Sequence, residues 1–288
     1  MLRRFLDKLR GVSHAEVPGY HILGVLREGS MSVILKAQRE ETGDIVALKI
    51  PKASARRTII RLESRHRDFN EGEITQAFDH PNVIKCFEHV EAGGAGGPDY
   101  LVLEYLDGMT LLTLMETDSR RLTGHRLSFL CQAACGLDHV HSRRFIHRDF
   151  CAKNLFVTSD NRVKVIDFGL ATPLLATQAY IGRFGTVEIL APEILRREPS
   201  DHRADIFAWG VVAYEVLSGR WPFESPEHHQ VLSKILNVHP VPVNRRVAEV
   251  PGAVSNLVMR CLEKDPAKRL SSMSVAVGIC ERHQNVRL

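Results

Sequence analysis

Two short stretches of the chain concentrate groups able to handle phosphate. Residues 147–154 read HRDFCAKN, set between the apolar runs FI and LFV, and residues 163–169 read VKVIDFG. Asp149 and Asn154 stand five residues apart, and Asp167 follows in an apolar run expected to be a strand. The side-chain oxygens of Asp and Asn are hard ligands suited to Mg²⁺. Asp149 could orient a hydroxyl and accept its proton. Lys153 lies in the same loop, and Lys49 sits in IVALKI, a strand pattern so apolar that its ammonium needs a counter-charge or a ligand anion. Glu71, in the segment that follows, could supply that charge. Two lysines and Mg²⁺ could neutralise a triphosphate. This set suits phosphoryl transfer, in which catalysis is mostly positioning and charge stabilisation. A turn, REGSMS, with Gly29 inside it, would let backbone N–H groups approach phosphates closely.

These residues need two kinds of scaffold. Residues 20–50 alternate as three strands with turns at GSMS and EETGD, and VIKCFEHV and YLVLEYL read as two more, separated by the glycine-rich EAGGAGGPD. Residues 54–78 are charged and helical in character up to the break at DHPN. Beyond Gly108 the pattern turns helical. Leu127, Leu130, Ala134 and Leu137 share a helical face, and ADIFAWGVVAYEVLSG reads as a helix buried in a core. The expectation is an α+β chain of two lobes: a β-rich N-lobe over 18–105 and a larger helical C-lobe over 108–286, with the ligand in the cleft between them. Residues 1–17 form a basic amphipathic extension. Leu2, Phe5, Leu6 and Leu9 share a face ringed by Arg3, Arg4, Lys8 and Arg10, suited to packing on the domain or to weak contact of residues 1–10 with an anionic membrane or a partner.

Composition narrows the classes. The 288 residues are 44% hydrophobic and 25% charged with a net charge of +4, which suits a phosphate-bearing ligand. No basic stripe with interleaved aromatics points to nucleic acid. The six cysteines form no CxxC pair and no zinc spacing, and read as reduced, mostly buried thiols of a cytoplasmic protein. No HExxH pattern occurs among the fourteen histidines, and no run of about 18 apolar residues would span a bilayer.

From about residue 20 to 284 the chain resembles the protein kinase family: REGSMSVILKA for the Gly-rich loop, VALK for the strand lysine, then HRDFCAKN, DFG and APE, in that order. WPF after the apolar helix and EKDPAKRL near the end extend the likeness. Met31 at the turn's tip resembles the bacterial Ser/Thr branch. The resemblance implies a two-lobed kinase that uses ATP and Mg²⁺ to phosphorylate a protein at Ser or Thr. It assigns Lys49 to the α- and β-phosphates, paired with Glu71, which lies nine residues before His80, the family's usual interval; Glu73 is the rival. Asp149 would be the base, helped by Lys153, with Asn154 and Asp167 on Mg²⁺. Leu26 and Gly29 would cover the nucleotide. Leu103 would be the gatekeeper, Glu104 to Leu106 the hinge, and Ala47, Ile34 and Phe156 the adenine sandwich. Asp205 would brace the catalytic loop and Arg269 would pair with Glu193.

The chain departs from the family in several places. Arg27 and Ser32 replace the outer glycines of the loop, and Arg27 cannot take positive φ cheaply. Cys151 stands where Ser/Thr kinases carry a lysine, and Lys153 stands where tyrosine kinases often carry a basic residue. GTVEILAPE, with Thr186, resembles the Ser/Thr class and is weighted above that marker. Thr75 and Cys86 replace larger apolar residues. Arg148 is placed to receive a phosphate on Thr177 or Tyr180, or less readily on Thr172. The alternatives are a tyrosine or dual-specificity kinase, a pseudokinase scaffold with an altered Gly-rich loop, and a small-molecule phosphotransferase.

Overall fold

Alternating side chains make the first sheet. In β2 (Ser32–Arg39), Val33, Leu35 and Ala37 turn inward while their neighbours face out, and in β3 (Ile45–Pro51) the run Val46–Ile50 is buried on both faces. They pair antiparallel with each other and with β1 (Tyr20–Glu28) and β5 (Tyr100–Glu104), and β4 (Cys86–Val90) closes the order β1-β2-β3-β5-β4. The EETGD turn carries Gly43 at φ 77°, where a side chain would be strained. Val17, Leu35, Val46, Leu48, Tyr100 and Val102 form the centre of its core.

The computed structural model describes residues 17–52, 70–91, 99–174, 189–286 and 288. Residues 1–16 of the amphipathic extension, most of the charged segment 54–78, residues 92–98 of the glycine-rich EAGGAGGPD, Thr177, Tyr180 and Thr186 lie outside the described residues. The described residues fall into two compact units: 17–79 with 84–106, and 80–83 with 107–288.

In the first unit a helix, Glu71–Gln76, follows Asn70, which caps it. It comes so close to β4 that a Cβ on Gly72 would lie 2.2 Å from the His89 ring. The second unit is mainly helical. The Arg126–Ser142 helix buries Leu127, Leu130, Ala134 and Leu137, as the spacing predicts. The Arg203–Ser218 helix is buried along nearly its whole length, with Phe207, Trp209 and Tyr214 fully enclosed. Two small sheets hold the loops between the helices. One is β6 (Gly108–Thr110), β8 (Leu155–Thr158) and β9 (Val163–Val165), and the other pairs β7 (Phe145–Ile146) with β10 (Thr172–Pro173). Among the described residues, no helix is long and apolar enough to cross a membrane.

VKVIDFG is a strand only as far as Val165, so Asp167 does not lie in a strand as expected. The Val165 N–H donates to Asn82 O (2.8 Å) and the Ile166 N–H to Asn154 O (2.9 Å), which ends the ladder. Asp167 then takes φ 65°.

One buried carboxyl in the long helix sets a pH dependence. Burial, with the nearby charge of Glu116, pushes Glu215 up from 4.5 to about 7. The folded state therefore binds this proton more tightly than the unfolded chain. Its contribution is fully present below pH 4.5 and is lost as pH rises to about 7. Glu215→Gln is expected to flatten the fall in melting temperature across that interval. Thermal melts from pH 4.5 to 8 would check it, and identical slopes for the two proteins would count against it.

Candidate active site

Lys49 stands in the middle of β3, opposite Ile34 on one side and Leu101 on the other. Its strand neighbours are buried, so its ammonium reaches out of an apolar ladder, and it pairs with the Glu71 carboxylate. Glu73 does something else. Its side chain accepts from the Asn70 N–H (2.8 Å), while the Asn70 side chain accepts from the Glu73 N–H (2.9 Å). This reciprocal capping box fixes the helix register and leaves Glu71, rather than its rival, facing the lysine.

Around Lys49, Ala47 pairs with Leu103 across β3 and β5, and both are buried. Ile34 and Leu106 are half-buried, and Leu26 is exposed. The Glu104 carboxylate accepts from the Lys85 N–H (2.7 Å), which leaves its own carbonyl outside that bond.

The turn at Gly29 forms without outer glycines. The Gly29 N–H donates to Ser32 O (2.9 Å), and Arg27 lies in extended β1 opposite Ile34, beside an irregularity in the register. The positive φ feared for Arg27 is not used. The turn is tied instead to the end of β3: the Lys52 N–H donates to Met31 O (2.8 Å), and Lys52 Nζ meets Glu28 at 2.8 Å.

In the second unit, residues 147–154 fold around a buried carboxylate. Asp205, near the start of the long apolar helix, accepts from the His147 N–H (2.7 Å) and the Arg148 N–H (2.9 Å). His141 Nε2 contacts the same carboxylate at 3.0 Å. Burial works to raise Asp205, but the hydrogen bond from His141, the two imidazoles and the loop's N–H groups outweigh it and hold the carboxyl below its ordinary range. Two hydrogen bonds fix the His147 ring: Nδ1 accepts from the Asp149 N–H (3.3 Å), so Nε2 donates to Ile166 O (3.2 Å). Arg148 sits at φ 67°, a costly conformation that Asp205 helps to hold.

That frame presents Asp149. The Asn154 side-chain amide donates to both Asp149 O and Asp149 Oδ2, each at 2.8 Å, and Lys153 Nζ lies 3.3 Å from the same Oδ2. The Cys151 thiol is 4.0 Å from Oδ1. Burial, reinforced by the Asp149 charge, pushes that thiol up to about 12, so it stays protonated beside the carboxylate. Asn154 spends its amide nitrogen on Asp149, which leaves its oxygen as the group suited to a cation. Asp167 is exposed, and its Oδ1 accepts from the Gly169 N–H (3.4 Å). Phe168 beside it is fully buried, 5.0 Å from the His147 ring. Phe156 lies half-buried in β8 of this unit. Among the described residues, no three His, Cys, Asp or Glu side chains gather to hold an ion. A divalent ion on Asn154 and Asp167 would draw its other oxygens from phosphate and water, the ordinary manner of Mg²⁺.

Elsewhere in the unit, Arg269 and Glu193 form a bidentate pair, both bonds 2.6 Å. In the first unit, Thr75 is buried and donates to Glu71 O, and the Cys86 thiol faces Glu88 O. Thr172 is buried in β10. The structure thus gathers Lys49 with Glu71 in the first unit, and Asp149, Lys153 and Asn154 in the second. Sequence reasoning missed His141 as a third partner of Asp205. The second histidine of HVHS, six residues ahead of His147, was the available signal.

A family model described as protein kinase domain matches residues 20–278. The serine/threonine-protein kinase PknB of Mycolicibacterium smegmatis is 32% identical over 256 residues, covering 87% of this chain and 40% of that protein. Its Mycobacterium tuberculosis namesake is 29% identical over 256 residues, with the same 87% and 40% coverage. Human ribosomal protein S6 kinase alpha-1 is 27% identical over 278 residues, covering 95% of this chain and 36% of that protein. The chain therefore spans about two fifths of the length of the curated relatives it matches.

Proposed function

The chain belongs to the protein kinase domain family, and from that premise we propose that it is a protein serine/threonine kinase using ATP and Mg²⁺. The observation that carries the proposal is the state of Asp149. It is a nearly buried carboxylate whose Oδ2 is held by Asn154 and Lys153, on a loop whose backbone is pinned by Asp205. Such a group is placed to accept a proton from a hydroxyl, and its orientation costs nothing at the moment of reaction.

When bound, ATP supplies the phosphoryl group and Mg²⁺ spreads its charge. The chain's own residues do the rest. Glu71 holds the Lys49 ammonium extended for phosphate oxygens, and Asn154 and Asp167 offer oxygens to the ion. Lys153, against Asp149 Oδ2, supplies the positive charge that Cys151, a neutral thiol, does not. The names of the relatives support the Ser/Thr class over the tyrosine reading that Lys153 suggests, and the well-formed turn at Gly29 supports catalysis over a scaffold role.

The deciding experiment is transfer from γ-labelled ATP with Mg²⁺ to peptides that differ only in a Ser, Thr or Tyr acceptor. Label on Ser or Thr is expected, and label on Tyr alone would refute the class. Control by a phosphate on Thr177 or Tyr180 belongs to the same proposal, with Arg148 as its dock. Mass spectrometry is expected to find that phosphate. The Thr177→Ala, Tyr180→Phe double variant should then lose about tenfold in activity, of the order a charge-assisted loop contact can confer. Unchanged activity would remove this element.

A further inference from the structure

One edge of β9 is closed by side chains. The strand pairs with β8 on one side, and on the other, among the described residues, it meets a single bridge from Val165 to Val83. Val163 and Val165 are fully buried, so their outward N–H and C=O groups need partners. The Gln132 side-chain oxygen accepts from the Val163 N–H (2.8 Å), and the Asn82 side-chain amide donates to Val163 O (2.8 Å). The same Asn82 amide donates to the Gln132 oxygen (3.3 Å), and the Gln132 amide donates to Asn161 O (3.1 Å), in the turn that leads into the strand. Gln132 and Gly136 stand one turn apart on the Arg126–Ser142 helix and so share a face. A Cβ on Gly136 would lie 2.4 Å from Asn82 O and 2.8 Å from a Val165 methyl. The missing side chain lets the helix come close enough for Gln132 to reach the strand.

We propose that Gln132 is a positioning residue for the divalent ion: it fixes β9 and, through it, sets where Asp167 presents its carboxylate. The inference rests on the proposed function, which gives Asn154 and Asp167 to Mg²⁺.

The path from Gln132 to Asp167 is short and continuous. Gln132 holds Val163 at the start of the strand, and Asn82 O holds the Val165 N–H at its end. Ile166 then donates its N–H to Asn154 O and accepts from the His147 ring through its carbonyl, and Asp167 follows. The placement of β9 therefore sets Asp167 against Asn154. The strand has three residues and pairs with β8 at three positions. So short a ladder specifies its register weakly, and a slip of one residue turns every side chain to the opposite face. The Gln132 oxygen on one particular N–H supplies the missing specification without touching the ion.

The test measures how much Mg²⁺ tightens binding of a non-hydrolysable ATP analogue, by displacement of a fluorescent nucleotide in EDTA and in Mg²⁺. Gln132→Met keeps the unbranched length and loses the amide. Gln132→Glu keeps the acceptor for Val163 and loses the donor to Asn161. Both should melt earlier than the parent, since each strands Asn161 O. Only Gln132→Met should lose about tenfold of the gain from Mg²⁺, the low end of the 10–100-fold that outer partners of metal ligands confer, with the Kd in EDTA unchanged. A gain that falls equally in both variants, or that survives in Gln132→Met, would overturn the proposal. A second arm uses the unaltered protein and depends on no variant folding. Coupling is reciprocal, so with the analogue present throughout, adding Mg²⁺ should slow hydrogen exchange at the Val163 N–H about tenfold, the same factor seen from the other side. An unchanged rate there, in a sample that shows the gain, overturns this inference alone. A parent with no gain refutes the Mg²⁺ reading itself, and this inference with it.

Discussion

Asp149→Asn is expected to lower phosphoryl transfer by about 10²–10⁴-fold, the usual contribution of a positioned general base, while leaving nucleotide affinity and the fold nearly unchanged. The neighbours of Asp149 explain the separation. Asn154 and Lys153 both address Oδ2, and Cys151 faces Oδ1. An asparagine can keep its carbonyl oxygen on the Asn154 and Lys153 side and turn its NH₂ toward the Cys151 sulfur, which can act as a weak acceptor. Shape and most hydrogen bonds survive, while the proton acceptor is lost. The expected signature is therefore a fall in kcat with little change in the melting temperature or in the Kd for ATP. Steady-state kinetics, nucleotide titration and a thermal melt on one preparation would read all three. A variant within threefold of the parent in kcat would remove Asp149 from its proposed role, since a loss that small lies far below the range for a general base.

The residues behind that prediction were unequally legible in the sequence. The loop 147–154 and its partners were, because phosphoryl transfer restricts residue type and spacing tightly: a carboxylate, an amide five residues on and a second acid beyond a strand. β1 to β5 were legible for a different reason. Period-two burial writes itself into Val33, Leu35 and Ala37, and the two-sided burial of β3 makes the run from Val46 to Ile50 apolar.

Other features depend on contacts between segments distant in sequence. Asp167 reads as a strand residue because VKVI is apolar, yet Asn82 and Asn154, from two other segments, end that strand by taking its N–H groups. His141 carried only a weak signal, its place in HVHS six residues ahead of His147, in a chain with fourteen histidines. Only the fold brings its ring to Asp205. The choice between Glu71 and Glu73 rested on a family interval. The physical reason, a capping box at Asn70, lies in an N-x-x-E pattern that was present but unread. The fear about Arg27 assumed that this turn needs positive φ, whereas the hairpin is closed by Gly29 and tied down through Lys52.

Arg269→Ala should be the most destabilising single change among those considered, because it strands more buried polarity than any other. The guanidinium is fully enclosed and makes two 2.6 Å bonds to Glu193, whose side chain is only 2% exposed. It also donates to three backbone carbonyls: Glu263 O (2.7 Å), Arg203 O (3.0 Å) and Lys264 O (3.3 Å). Its planar face lies 5.1 Å from the Phe207 ring. Alanine leaves a buried carboxylate without its counter-charge, three acceptors without that donor, and a void over an aromatic ring. Removing one partner of such a pair costs about 3–5 kcal/mol, and at roughly 2–4 °C per kcal/mol for large domains the melting temperature should fall by about 10 °C. Glu193→Gln should cost less, since the amide oxygen still accepts from Arg269 although the amide nitrogen opposes it. The double change Arg269→Met with Glu193→Leu separates charge from hydrogen bonding. Removing both ions should recover part of the loss, but the three carbonyls freed by the missing guanidinium limit that recovery. A thermal melt of the four proteins tests the ordering. A fall of under about 2 °C for Arg269→Ala would mean that water or a repacked neighbour satisfies Glu193, and that the link between the Pro192–Arg196 helix and the 263–269 segment does not depend on this pair.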